Sequence, residues 1–216
     1  MTGPSALLYD TYYHIYNRGI NRENIFVQEQ NYLHFMNLYT KYIGPLAETF
    51  AYCLLRNHFH VLLKIKSREE ISQGCQAQVV TRDGGSHLGK AAGHPEQTPS
   101  KRFSDFFNAY SKSINAAYGR TGSLFQHPFG RIPVTNDRQF WNVVVYIHQN
   151  PQKHKFVDDF RDWPWSSYGL ILPEKSTSIK RETVLDWFGG GQNYQDLHGH
   201  WINAAESLWF AEDDDD

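Results

Sequence analysis

The sequence predicts an α+β fold: a ferredoxin-like antiparallel sheet with helices on one face and extra helices C-terminal to it. Three observations predict it. Two short apolar runs, 48–55 and 58–65, are separated only by Arg56-Asn57, a spacing that suits an antiparallel hairpin. A segment of helical periodicity precedes the hairpin and is itself preceded by an aromatic, branched run that reads as a strand. A second helical segment and another extended run follow, completing the order strand, helix, strand, strand, helix, strand.

The first strand is Tyr12-Tyr13-His14-Ile15-Tyr16-Asn17-Arg18, stopped at Gly19. Residues 28–43 place Tyr32, Phe35, Met36, Tyr39 and Tyr42 near the helical period and end before Gly44-Pro45, which predicts an amphipathic helix. Residues 67–100 are rich in Gly, Gln, Ser and His and read as a mobile insertion. Helical spacing returns through Phe103, Phe106, Phe107, Tyr110 and Ile114 and stops at Gly119-Arg120-Thr121-Gly122. Residues 123–134, broken by Pro128 and Pro133, suggest an irregular edge strand. Residues 137–149 predict a helix closed by Asn150-Pro151, because a residue before proline is pushed out of the helical region. Trp163 to Tyr168 reads as a loop and 181–188 as a short helix. The expected organisation is one core domain over 1–172 and a helical extension over 173–216 that ends in an acidic tail.

Composition is that of a globular protein, with 40% hydrophobic and 20% charged residues; the 15% aromatic share is high enough to suggest rings that stack on bases. The formal charge of −2 is unlike that of a nucleic-acid binder. The acids at 212–216 account for it, and the rest of the chain is mildly basic. Cys53 and Cys75 stand in unlike contexts and indicate neither a disulfide framework nor a zinc cluster. With no secretory pattern and no run of apolar residues long enough for a span, the expectation is a cytoplasmic protein without membrane partners.

Alternate strand residues share a face, so His58 and His60 would set two imidazoles side by side, half of a divalent metal site. With eleven histidines in the chain, a His-x-His also arises by chance. Nucleotide hydrolases with a histidine triad carry a third His two residues on, where this chain has Leu62. Tyr110, at the edge of a helical stripe, is either a reactive hydroxyl near the histidines or a core tyrosine with its tip hydrogen-bonded.

Six ordered blocks over roughly three quarters of the chain are similar to the HUH single-tyrosine transposases, most of all to REP-associated tyrosine transposases of the IS200-like type. They are Tyr13 to Gly19, Asn57 to Leu62, Tyr110 to Asn115, Gly119 to Gln126, Tyr146-Ile147-His148-Gln149-Asn150-Pro151, and Trp165-Ser166-Ser167-Tyr168. The resemblance implies that His58 and His60 hold Mg2+ or Mn2+ at a scissile phosphate, and that a helix tyrosine, here Tyr110, attacks it to give a 5'-phosphotyrosine. It further implies an Asn or Gln ligand about one turn after that tyrosine. Four residues after Tyr110 stands Ile114, so Asn115 is the expected third ligand, about 140 degrees around an ideal helix from Tyr110. Tyr118, three residues beyond Asn115, is the runner-up nucleophile. Tyr146 to Pro151 reads as a structural helix end.

The implied substrate is single-stranded DNA bearing a hairpin, in the cytoplasm at the bacterial nucleoid, with a homodimer left open. Arg18, Arg22, Lys101, Arg102, Lys112, Arg120 and Arg131 are the candidate phosphate contacts, with Arg56 beside them. Trp163, Trp165 and Tyr168 are either base platforms or a cap over a core edge. Two other readings stand beside this one: a domesticated module that binds structured single strands without cutting, and a metal-dependent phosphodiesterase acting on nucleotides.

Overall fold

A computed structural model describes residues 5–73 and 98–200 of the 216-residue chain. The sheet contains β1 (Tyr12–Arg18), β2 (Ala47–Leu54), β3 (His58–Ile65) and β4 (Gly130–Val134), ordered β2-β3-β1-β4 with every pair antiparallel. Helices α1 (Glu29–Tyr42) and α2 (Pro99–Tyr118) join its strands in the ferredoxin-like order. Beyond β4 come α3 (Asp137–Lys153), the short α4 (Tyr168–Ile171), α5 (Arg181–Phe188) and α6 (Gly191–His198).

Strand alternation sorts the side chains into two cores. Tyr13 and Ile15 of β1 and Phe59, Val61 and Leu63 of β3 point to the face covered by α1 and α2, where they meet Phe35, Tyr39, Phe103, Phe106, Phe107 and Tyr110. Leu62 of β3 and Ala51 and Cys53 of β2 face α3, packing with Val143, Val144 and Ile147. Each fully buried large apolar side chain contributes on the order of 1.5–3 kcal/mol, so both faces hold their helices strongly.

Helix ends follow their caps. Thr98 accepts the Lys101 backbone N–H, Pro99 opens the first turn, and α2 therefore starts four residues before Phe103, where the apolar spacing begins. Gly119, in the left-handed region at φ 63°, closes it. Asn136 caps α3 through the Gln139 N–H at 3.0 Å.

Two expectations are corrected. Of 123–134 only Gly130–Val134 is strand; Phe125 makes just an isolated bridge to Gly19. Helix α3 does not stop before Asn150 but runs through Pro151 to Lys153, because Ile147, Asn150 and Pro151 are all buried against the sheet and that packing outweighs one missing backbone hydrogen bond. Beyond residue 172, Val184, Phe188 and Tyr194 enter the α3-side core, and the Lys180 N–H donates to the Thr49 carbonyl of β2 at 2.9 Å. Most of the expected insertion, Cys75 and the acidic tail lie outside the described residues. Among the described residues no helix is long and apolar enough to cross a membrane.

Candidate active site

His58 and His60 do share a face, their rings 5.1 Å apart and nearly perpendicular. The face is the one covered by α3. The ring of Tyr146 lies 5.5 Å from that of His60, and His154, at the end of α3, lies 4.8 Å from His58. Asn150, one turn after Tyr146, brings its Oδ1 to 3.4 Å from His58 Nε2.

The hydrogen bonds fix which atoms meet there. Asn150 donates from Nδ2 to the Tyr146 carbonyl at 3.1 Å, which leaves Oδ1 turned to His58. His58 Nδ1 lies 2.8 Å from Asn57 Oδ1, the better bond of the two that this ring makes. A neutral imidazole has one N–H; given to Asn57, it leaves the Nε2 lone pair facing the amide oxygen of Asn150. Two acceptors facing each other suit a shared cation, since adjacent ligands of an octahedral Mg2+ lie about 3 Å apart.

Protonation state agrees with that arrangement. Burial pulls the His58 pKa down to about 3, helped by the nearby charges of His154 and Arg18 and opposed by the Asn150 contact. Burial likewise holds His60 well below the usual histidine range, with His58, His14, His154 and Arg18 adding to the effect. Both rings are neutral at pH 7, as metal ligands must be. Among the described residues no group of three or more His, Cys, Asp or Glu side chains is arranged to hold a metal ion. Two imidazoles and an amide oxygen could serve as donors, a combination suited to a cation that keeps open positions for phosphate oxygens.

Tyr110 and Asn115 lie elsewhere, a correction to the sequence expectation. Tyr110 is wholly buried between α1 and α2, with Phe26, Phe35 and Phe125 around its ring. Its hydroxyl donates to the Ile25 carbonyl at 2.7 Å, and burial pushes the phenol pKa well up. Asn115 donates to the Gly122 carbonyl at 2.8 Å and accepts from Arg120 at 3.0 Å, so it braces the loop after α2. Tyr118 donates to Asn31 Oδ1 at 3.0 Å. The sheet separates all three from the histidines, because Phe59, not its neighbours, points toward α2.

The basic residues divide in the same way. Arg18 pairs in register with His58, and its charge acts on both histidines. Arg22 is exposed in the 3-10 turn Ile20–Arg22. Lys101 and Arg102 belong to α2, the one paired with Asp105 and the other 5.9 Å from the Tyr42 ring. Lys112 is exposed on the same helix. Arg120 pairs with Glu23. Arg131, opposite Ile15 in β4, stacks on Phe129 at 3.7 Å and bonds Ser100 Oγ. Trp165 stacks on Tyr32 at 4.5 Å, and Trp163 donates to the Leu54 carbonyl at 2.9 Å, so both cap the core edge.

Tyr146 and Asn150 are thus the residues that sequence reasoning passed over. Their signal was the spacing: an amide four residues after a tyrosine, met at 146 and 150 and failed at 110 and 114.

A ferredoxin-like sheet with paired imidazoles on a central strand and a tyrosine-and-amide helix laid against them is a ground plan that resembles the HUH single-tyrosine transposases. Known proteins narrow the likeness. The chain is 26% identical over 143 residues, 66% of its own length and 67% of the relative's, to the "Putative REP-associated tyrosine transposase" of Haemophilus influenzae. Its fold matches a solved REP-associated tyrosine transposase bound to a REP hairpin, with TM-score 0.54, 16% identity and coverage of 80% of this chain and 86% of that one. No family model matches the chain. In sequence and in fold it is similar to REP-associated tyrosine transposases.

Proposed function

We propose that this chain is a transposase-type enzyme that cuts and rejoins single-stranded, hairpin-bearing DNA, with Tyr146 as nucleophile and His58, His60 and Asn150 holding Mg2+ or Mn2+. The observation that carries the reading is the convergence of Tyr146 and Asn150, one turn apart on α3, on the neutral histidine pair of β3. The likeness to a hairpin-bound protein supplies the substrate class.

In this reading the Tyr146 oxygen attacks phosphorus and loses its proton, the bond from phosphorus to the 3'-oxygen breaks, and that oxygen leaves protonated. The phosphotyrosine ester keeps the phosphodiester energy, so the reverse attack by a 3'-hydroxyl rejoins a strand. A bound divalent cation would polarise the phosphate and offset developing charge. A phenol with a reference pKa of about 10 needs such help at neutral pH. Arg18, opposite His58 in the register, would hold a flanking phosphate in this reading.

Tyr146 is only 3% exposed and His58 and His60 no more, so a phosphate reaches them only if their cover opens. The same burial supports a second reading, a module that binds structured single strands without cutting. Incubation with labelled hairpin oligonucleotides, with and without Mg2+ or Mn2+, separates the two. The enzyme gives a metal-dependent covalent adduct; salt-sensitive binding with no adduct under any metal condition establishes the second reading.

A further inference from the structure

A third buried imidazole lies behind the pair. His14, on β1, sits diagonally across from His60, whose direct partner in the register is Tyr16. His14 Nε2 and His60 Nδ1 are 3.0 Å apart, with rings stacked at 5.1 Å and 21°. Both residues are almost fully buried, and Tyr146 touches both rings edge-on, at 5.9 and 5.5 Å. Tyr16 flanks His14 from its own strand at 5.1 Å, and a side chain at Gly130 would collide with the Tyr16 ring, so that wall of the site is closely packed.

Two neutral imidazoles share one proton in this contact, and only two arrangements exist. If His14 donates, His60 accepts at Nδ1 and carries its proton on Nε2, where it can ligate nothing. If His60 donates from Nδ1, its Nε2 keeps a lone pair. His58 already shows the second pattern, with Nδ1 against the amide oxygen of Asn57 and Nε2 turned to Asn150. From this parallel we infer that His14 is a positioning residue, the acceptor that fixes His60 in the Nδ1–H form as Asn57 fixes His58. The inference rests on the proposed metal site and assigns the orienting partner of one ligand. Outer partners of this kind typically change metal affinity by about 10–100-fold when removed. An imidazole in that role, where carboxylates and carbonyls are usual, keeps the buried wall free of charge.

The test is long-range 15N–1H correlation of the histidine rings in the metal-free protein at neutral pH, with Mn2+ titration of the same samples. The inference predicts His60 as the Nδ1–H tautomer in the wild type. His14→Phe, which keeps the ring and loses the acceptor, should move His60 toward Nε2–H and weaken Mn2+ binding about 10–100-fold. His14→Gln restores an acceptor and should return both readouts to within about threefold of wild type. A wild-type His60 protonated on Nε2, or a His14→Phe protein in which His60 stays Nδ1–H, overturns the inference. Should His14→Phe not fold, the wild-type and His14→Gln spectra decide alone. Failure of the wild type to bind Mn2+ would instead overturn the metal site of the proposed function, and the tautomers would still decide the role of His14.

Discussion

The two faces of the sheet are both covered by helices and differ in how they treat polar atoms. Toward α1 and α2 the interior is an aromatic cluster, and its polar tips are satisfied by backbone or amide partners: Tyr110 at the Ile25 carbonyl, Tyr118 at Asn31. Toward α3 the same depth of burial holds His14, His58, His60 and Asn150, where His14 and His60 hydrogen-bond each other and His58 Nε2 faces the Asn150 amide oxygen. Burying so many polar side chains costs stability, and proteins keep such clusters chiefly at functional sites. On the proposed reading the first face is a scaffold and the second carries the chemistry.

Tyrosine exchange breaks or sharpens that contrast most strongly. Tyr146→Phe should abolish the covalent adduct, a loss of at least about 10³-fold, while Tyr110→Phe should leave it within about threefold when assayed below its melting temperature. The opposite pattern would return the chemistry to the α2 side. Next in size, His58→Ala, His60→Ala and Asn150→Ala should each lower Mn2+ affinity and adduct yield about 10–100-fold, whereas Asn115→Ala should leave both unchanged. An Asn115→Ala protein that no longer binds Mn2+ would mean that the donor set is misassigned.

Stability reverses the order of the faces. Tyr110→Phe strands the Ile25 carbonyl and should lower unfolding free energy by about 1–3 kcal/mol in urea titration. Acid should act on the other face. His14 and His58 are held at about 3, His198 at about 4, and His60 and His148 well below the usual range, all chiefly by burial and all on the α3 side. A histidine whose folded pKa is depressed binds fewer protons folded than unfolded. Stability is therefore complete above about pH 6.5 and falls as pH drops toward the folded values, by at most about 1.4 kcal/mol per pH unit for each proton. Hydrogen exchange at pH 7 and pH 4.5 should show α3 and α6 losing protection before α1 and α2; uniform loss would contradict the division. The smallest effect belongs to Arg120→Ala, which removes a half-exposed pair with Glu23 and a bond to Asn115 and should cost about 1 kcal/mol.

Much of this was legible in the sequence. The order of elements, the hairpin at Arg56-Asn57, the bounds of β3 and the short helix Arg181–Phe188 follow from period and punctuation. The shared face of His58 and His60 follows from the strand period alone. Which helix covers that face does not follow, because period two says that Phe59 and His60 oppose each other and not which of them meets α2. Proline at 151 hid the answer further: read as a stop, it turned the Tyr146–Asn150 turn into a helix end, and only burial of that turn against the sheet carries the helix past it. His14 looked like one aromatic among many in β1, and its role depends on a diagonal contact 46 residues away in sequence.

The central claim, that the reacting tyrosine is on α3 and not on α2, is tested most directly by mapping the attachment point. The adduct formed with a hairpin oligonucleotide and Mn2+ can be digested and the modified peptide sequenced by mass spectrometry. The nucleotide should be found on Tyr146. Attachment at Tyr110 or Tyr118 would contradict the account and require the sheet and α2 to part from the arrangement described.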